Sequence, residues 1–172
     1  MDSVLGPFSE RELDEQVTYD RISALNGSYL NFALKEVMRL CPSICGLGRI
    51  LTAPCDVGEY LLPSGTNVGI IILALHRNPL YWDRPEEFLP ERWAEGGSAN
   101  PLKHPFQYLP FSAGARNCIG QRFAMMEMTV ALALVLRNFD LELTEEDNAA
   151  IVAEQTITNK PINVHIHISK RE

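Results

Sequence analysis

Six of the eleven prolines of this 172-residue chain fall between His76 and Asn117, at positions 79, 85, 90, 101, 105 and 110. Proline fixes φ and removes a backbone donor, so neither a long helix nor a central strand can run through this stretch. It has to be coil, and a coil of that length is uncommon inside a folded domain unless it wraps a site and is held there by specific contacts. Regular structure is therefore expected on either side, with the coil laid across it.

Before the coil, Ser28 is a natural N-cap, and Leu30, Ala33, Leu34, Val37 and Met38 recur at helical spacing until Pro42, which predicts a helix over 29–40. The period then changes. Residues 58–66 read as strand, tight turn and strand, and residues 68–73 as a β-branched, buried strand, together a small antiparallel sheet. After the coil, the Ala- and Met-rich run 122–136 is apolar nearly all round and predicts a helix buried in a larger body, with Met125, Met126 and Met128 as core filling. Ile162, Val164, Ile166 and Ile168 alternate with Asn163, His165, His167 and Ser169, which predicts one half-buried strand paired with the segment around 151–157. The alternation puts His165 and His167 on its polar face. Residues 1–28 are polar, with a solvated helical stretch at 10–15, and read as an exposed lead-in to a unit spanning 29–172.

Charge narrows the partners. Fifteen Lys and Arg stand against 22 Asp and Glu, a net charge of −7, and the basic residues form no run, which argues against nucleic acid. No stretch approaches the roughly 18 apolar residues that cross a bilayer, and the sequence after Met1 has no apolar signal core, so neither anchor nor export signal is expected within the chain. Cys41, Cys45, Cys55 and Cys118 read as reduced thiols, and no second close Cys or His pair near Cys118 completes a zinc site.

The stretch that carries chemistry is Pro110-Phe111-Ser112-Ala113-Gly114-Ala115-Arg116-Asn117-Cys118-Ile119-Gly120. Gly114 and Gly120 bracket it and permit bends and close approaches that a Cβ would oppose. Cys118 stands just before a helix start, where free N–H groups and the dipole favour a thiolate, so the sulfur is poised as a metal ligand. Arg116 adds positive charge suited to an acidic group on whatever lies against the loop.

These residues fit the pattern Phe-x-x-Gly-x-Arg-x-Cys-x-Gly at all five fixed positions, and the chain thereby resembles the cytochrome P-450 (haem-thiolate monooxygenase) superfamily. Glu36-x-x-Arg39 on the first helix and Pro90-Glu91-Arg92-Trp93 in the coil stand in the same order as in that family. The likeness continues through His76-Arg77-Asn78-Pro79, Trp82, Pro85 and Phe88, typical of the eukaryotic microsomal branch, and covers nearly everything from Tyr29 onward. The cysteine loop and residues 121–128 are similar to members that hydroxylate fatty-acid chains near their end.

The resemblance implies a mainly α fold with small antiparallel sheets, the C-terminal, proximal and incomplete part of the cytochrome P-450 architecture. It implies haem as cofactor, with Cys118 as the axial thiolate, Arg116 and Arg49 toward the propionates, and Phe111, Gly114 and Gly120 shaping the loop. Glu36, Arg39 and Arg92 would form a clamp that pins the coil, Trp93 replacing the usual Phe as a tolerable exchange. Residues 43–47 and 154–156 fall where the family lines its substrate pocket. Electrons would come from an NADPH-dependent flavoprotein reductase or an iron–sulfur partner docking near Lys103, Arg116 and Arg122. A small lipophilic substrate and the endoplasmic reticulum membrane follow from the same likeness.

The family also places a long distal helix before its Glu-x-x-Arg helix, and nothing upstream of Glu36 in this sequence reads as that helix. The missing N-terminal part of the same enzyme is thus an expected partner, and the chain alone is expected to be inactive. Three readings stand: a monooxygenase completed by upstream residues, a catalytically silent haem-binding remnant, or a cysteine hydrolase pairing Cys118 with a histidine such as His76. The last explains neither Glu36-x-x-Arg39 nor Pro90-Glu91-Arg92.

Overall fold

A computed structural model describes residues 18–156 and 158–171. The expected stretch at 10–15 lies outside the described residues. A short helix, α1 (Tyr19–Ser23), is capped by Thr18 and leads to a turn at Gly27, whose φ of +80° suits glycine. The lead-in is not wholly solvated, because Leu25 is buried with Leu30 and Ala133, and Leu132 and Leu136 pack against them.

Helix α2 (Tyr29–Leu40) occupies the predicted span. Ser28 Oγ accepts the Asn31 amide at 3.4 Å, and the last turn closes with the Cys41 amide on the Val37 carbonyl before Pro42. Its inward face departs from the apolar periodicity. Val37 is exposed, whereas Glu36 and Arg39 are both 0% exposed. The helix is rotated so that Glu36 and Arg39, and not its valine, face the coil.

Strand β1 (Gly46–Ile50) pairs antiparallel with β4 (Asn67–Ile71), in register from Gly46 opposite Ile71 to Ile50 opposite Asn67. Between them β2 (Cys55–Val57) and β3 (Tyr60–Leu62) form a hairpin turning at Gly58, where φ is +60°. The strand expected over 68–73 ends at Ile71, since Ile72 already begins helix α3 (Ile72–His76). Nor is β4 buried: Ile70 and Ile71 are exposed, because a two-stranded sheet offers each strand one neighbour and no covering layer among the described residues.

The proline-rich coil follows, punctuated by 3₁₀ turns at Pro90–Trp93, Pro105–Gln107 and Gly114–Arg116. Its own core is aromatic: Trp82, Trp93 and Ala99 are buried together, with Phe32, Leu102 and Tyr108 packed around them. Helix α4 (Gln121–Asn138) then runs two residues longer than expected at its C-terminal end and starts one residue earlier. Only Thr129 and Ala133 of its described side chains are buried, and most of its apolar side chains are half-buried.

Strand β5 (Phe139–Glu142), helix α5 (Glu145–Ala150), and strands β6 (Val152–Gln155), β7 (Asn159–Ile162) and β8 (His167–Lys170) complete the order. The single strand expected over 162–169 is two strands. Asn163 adopts φ +57°, a left-handed conformation that breaks extension, so β7 pairs with β6 while β8 crosses to β5. The mate near 151–157 holds for β7 alone. His165 and His167 are exposed, and His167 Nε2 lies 3.4 Å from Asp147 Oδ2.

Candidate functional site

The coil is tied down at one carboxylate. Glu36 Oε1 accepts from Arg39 Nη2 at 2.9 Å, Arg92 Nε at 2.9 Å and the Leu89 amide at 3.0 Å. Oε2 accepts from Arg39 Nε at 3.0 Å and the Trp93 indole at 2.9 Å. The remaining guanidinium N–H groups go to main-chain carbonyls, Arg92 Nη1 also reaching Ser98 Oγ at 3.4 Å. Arg39 reaches those of His76 (2.9 Å), Pro85 (2.6 Å) and Glu87 (3.0 Å), and Arg92 those of Asp83 (2.8 Å) and Arg84 (3.1 Å).

One buried carboxylate between two buried guanidiniums leaves a net positive charge, and the ring of carbonyl dipoles offsets it. Such a cluster survives desolvation only when nearly every donor and lone pair is used, as here. Burial pushes the Glu36 carboxyl up, but hydrogen bonds from Arg39, Leu89 and Trp93, with the Arg39 charge, hold it below the ordinary carboxylate range. The guanidiniums of Arg39 and Arg92 also lie 5.2 and 6.0 Å from the Trp82 ring centroid. The structure thus brings Glu36, Arg39 and Arg92 into one group.

Two members of this group escape the sequence reading. Trp93 is not an inert exchange for Phe, because its indole N–H is one of the five donors to Glu36. Gly97 sits so close behind that a Cβ would fall 2.5 Å from the Arg92 carbonyl oxygen and 2.6 Å from that of Glu91. The only sequence signal for the first was the indole nitrogen itself; the second lies in Gly96-Gly97, which reads as ordinary turn.

The coil is pinned again at three successive residues ahead of the cysteine loop. Gln107 bonds the Tyr81 carbonyl at 2.9 Å and accepts the Lys103 amide at 3.0 Å. Tyr108 donates to the Lys35 carbonyl at 3.0 Å, and the Leu109 amide donates to His76 Nε2 at 2.8 Å. Burial, aided by the Glu36 charge, raises the Tyr108 phenol well above its ordinary value.

Beyond Leu109 the loop closes on itself. The Ser112 amide donates to the Leu109 carbonyl at 3.1 Å, and the Cys118 amide to the Phe111 carbonyl at 2.9 Å. Ser112 has φ +62° and Gly114 φ +77°, so Gly114 uses the freedom expected of it. Gly120 does not: φ is −86°, and a Cβ there would meet Cys118 Sγ at an ordinary 3.9 Å. Its effect on the loop is to leave the space beside the sulfur clear. Helix α4 starts at the next residue, where the Gln121 amide donates to the Cys118 carbonyl at 3.5 Å.

Cys118 lines an open hollow of about 370 Å³ whose walls include Met38, Ile44, Leu47, Ile72, Phe111 and Met128, with Arg116 at its edge. The surroundings are apolar apart from the thiol, Ser43, Ser112 and one guanidinium. Arg116 is exposed and has no hydrogen-bond or ion-pair partner among the described residues. Arg49 lines a neighbouring hollow of about 480 Å³ with His104, Phe106 and Gln107, and bonds only its own neighbour, the Gly48 carbonyl, at 2.9 Å. Leu47 and Ser112 border both hollows, so Arg49 and Arg116 flank a shared wall without sharing a cavity.

Segments 43–47 and 154–156 meet. Ser43, Ile44 and Leu47 border the Cys118 hollow, and Gln155 Nε2 lies 3.5 Å from Cys45 Sγ. The Asn159 amide donates to the Ser43 carbonyl at 2.7 Å, fixing the β6–β7 hairpin to the same segment. Lys103 and Arg122 are exposed. His76, by contrast, is 0% exposed, is held by the Leu109 amide and does not line the hollow, which removes it as a general base for Cys118. No helix among the described residues is long and apolar enough to cross a membrane.

An exposed thiol and an unengaged guanidinium that both line a mostly apolar hollow suit a largely apolar group that carries a thiolate-binding metal and an anionic edge. The family model for cytochrome P450 matches residues 2–167. A probable cytochrome P450 4p3 of Drosophila melanogaster is 39% identical over 166 residues, covering 95% of this chain and 32% of that protein. Cytochrome P450 4V2 of Mus musculus is 39% identical over 169 residues, covering 94% of this chain and 31% of its own length. Among solved structures, the cytochrome P450DA heme domain superposes with a TM-score of 0.85 at 29% identity, over 99% of this chain and 36% of that one. The chain spans about a third of the length of the curated relatives it matches. With its mainly helical fold, small antiparallel sheets and glycine-bracketed cysteine loop, the chain belongs to the cytochrome P450 family.

Proposed function

We propose that this chain supplies the cysteine-ligand side of a haem-thiolate monooxygenase. The observation that carries the reading is Cys118 Sγ in an apolar hollow beside the unpartnered Arg116. Bound there, haem supplies the oxygen-activating redox chemistry, and the protein supplies the ligand, the orientation and the surroundings. Cys118 ligates the iron, Arg116 pairs with a propionate, and Arg49 from the adjoining hollow approaches the second. Phe111 and the open side of Gly120 shape the space around the sulfur, while Gly114 makes the turn that carries it.

The clamp of Glu36, Arg39 and Arg92 belongs to the same reading as the anchor that keeps the coil, and with it the cysteine loop, at a fixed height. The substrate is a small lipophilic molecule, a fatty acid being the class favoured by the relatives, which carry cytochrome P450 4 names. Ser43, Ile44 and Leu47, buttressed by Gln155 and Asn159, form its wall on this side. An NADPH-dependent reductase would dock at the exposed Lys103, Arg116 and Arg122 to supply electrons. Activity belongs to the enzyme with its distal helix in place, at the endoplasmic reticulum membrane.

The test is spectroscopic. The chain is reconstituted with haemin, reduced and exposed to carbon monoxide, and the Soret band is recorded for wild type and Cys118→Ser. A thiolate-type position in wild type that is lost in the variant is expected. A histidine-type position in both overturns the reading.

A further inference from the structure

We infer that His76 is the positioning residue that couples the buried Glu36 clamp to the cysteine loop, by holding the Leu109 amide with Nε2. The inference rests on the haem-thiolate reading for its consequence at the iron, but its geometry stands independently. His76 ends helix α3, far in sequence from both partners it joins. Its main-chain carbonyl accepts Arg39 Nη1 at 2.9 Å, so the residue is bolted to the clamp. Its ring accepts the Leu109 amide at 2.8 Å, so the residue is also bolted to the loop root.

From Leu109 the path to the sulfur is short. The Leu109 carbonyl accepts the Ser112 amide, and the Phe111 carbonyl accepts the Cys118 amide. A hydrogen-bonded route therefore runs from the Glu36 carboxylate through Arg39 and His76 to the backbone of the loop. His76 joins the two ends of this route, its main-chain carbonyl on Arg39 and its ring on the Leu109 amide.

The ring itself is fixed. Tyr108 lies against it with centroids 5.1 Å apart and Trp82 meets it edge-on at 6.5 Å. Because Nε2 accepts, the neutral imidazole carries its proton on Nδ1. Nδ1 is buried without a well-formed hydrogen bond. A buried polar atom left so is rare; main-chain groups of Met38 and Arg39 lie close enough to the ring to act on it, and its well-formed hydrogen bond is the one from the Leu109 amide. Gln107 and Tyr108 fix the preceding residues to other parts of the molecule, but neither reaches the loop beyond Leu109.

The test compares wild type, His76→Gln and His76→Leu in the 172-residue chain by two readouts. The first is amide hydrogen exchange without haem, read on peptides covering 109–118 and on peptides covering α2. Gln can present its carbonyl oxygen to the Leu109 amide and Leu cannot. Exchange at 109–118 is expected to rise at least tenfold in His76→Leu while α2 stays protected, and to return toward wild type in His76→Gln. The second readout is the ferrous carbon monoxide complex after haemin loading. The thiolate-type fraction should fall in His76→Leu and recover in His76→Gln.

Equal exchange in all three chains overturns the coupling. So does a rise spread evenly over α2 and the loop, which would make His76 mere filling. If His76→Leu does not fold, His76→Gln decides: a wild-type loop supports the coupling, and a loosened chain throughout overturns it. A wild-type chain with no thiolate-type band but the expected exchange pattern refutes the haem reading and leaves the coupling standing.

Discussion

Trp93 donates its indole N–H to Glu36 Oε2 at 2.9 Å, from a position 57 residues further along the chain. The bond is charge-assisted and buried, and the carboxylate keeps four other donors when it is lost. Trp93→Phe should therefore cost roughly 1.5–3 kcal/mol, the range for a hydrogen bond to a charged group, without dismantling the cluster. Urea denaturation monitored by far-ultraviolet dichroism checks this; an unchanged midpoint would mean that the indole contributes only its ring.

Glu36→Ala goes further, since it strands two buried guanidiniums. Removing one partner of a buried pair typically costs about 3–5 kcal/mol, and the exposed pair Arg77–Glu86, at 2.6 Å, provides the control. Glu86→Ala should cost no more than about 1 kcal/mol. Parallel denaturation curves that place the two variants together would contradict the cluster's role as anchor.

Gly97→Ala tests the wall behind Arg92. Its Cβ would overlap two main-chain oxygens, which cannot swing aside as a flexible side chain can. A loss of about 1–3 kcal/mol is expected from such overpacking. The double variant with Arg92→Leu should lose less than the sum, because the backbone that Gly97 accommodates is then no longer held by Glu36.

His76 gives stability a pH dependence. Burial is the main cause that lowers its pKa from 6.5 to about 4, with the Arg39 charge from α2 acting in the same direction and main-chain groups of Met38 and Arg39 opposing it. Tyr108 and Trp82, the rings against it, carry no charge in this range. The unfolded chain takes up a proton below pH 6.5 while the folded chain refuses it until about pH 4. Stability is thus complete above the unfolded value and falls as pH drops from 6.5 toward 4, by up to about 3 kcal/mol, then levels with respect to this group. Denaturation midpoints of wild type and His76→Gln across that window should converge at the acid end.

Much of this was readable in the residues. Ser28 and Pro42 bracket α2 because capping and proline chemistry are local, and the cysteine loop announces itself through five fixed positions. The orientation of α2 was not readable, because apolar periodicity assumes that the buried face is the apolar one, and here Glu36 and Arg39 are buried at Val37's expense. The break at Asn163 was hidden for a related reason: alternation continues through it, and only the left-handed backbone divides β7 from β8. Gly97 and the Trp93 indole owe their importance to groups brought near by the coil's path, which no local pattern encodes.

The cluster at Glu36 also bears on how the chain folds. Its donors from the coil, Leu89, Arg92 and Trp93, lie 53, 56 and 57 residues away, beyond strands β1 to β4 and helix α3, whose own pairings are local. Loop closure has to be completed before any of these bonds repays its entropy, so α2 should form early and wait. Side chains that join only after the transition state act mainly on unfolding rates. The carboxylate that anchors the coil therefore works as a latch: its loss should hasten escape from the native state far more than it slows arrival.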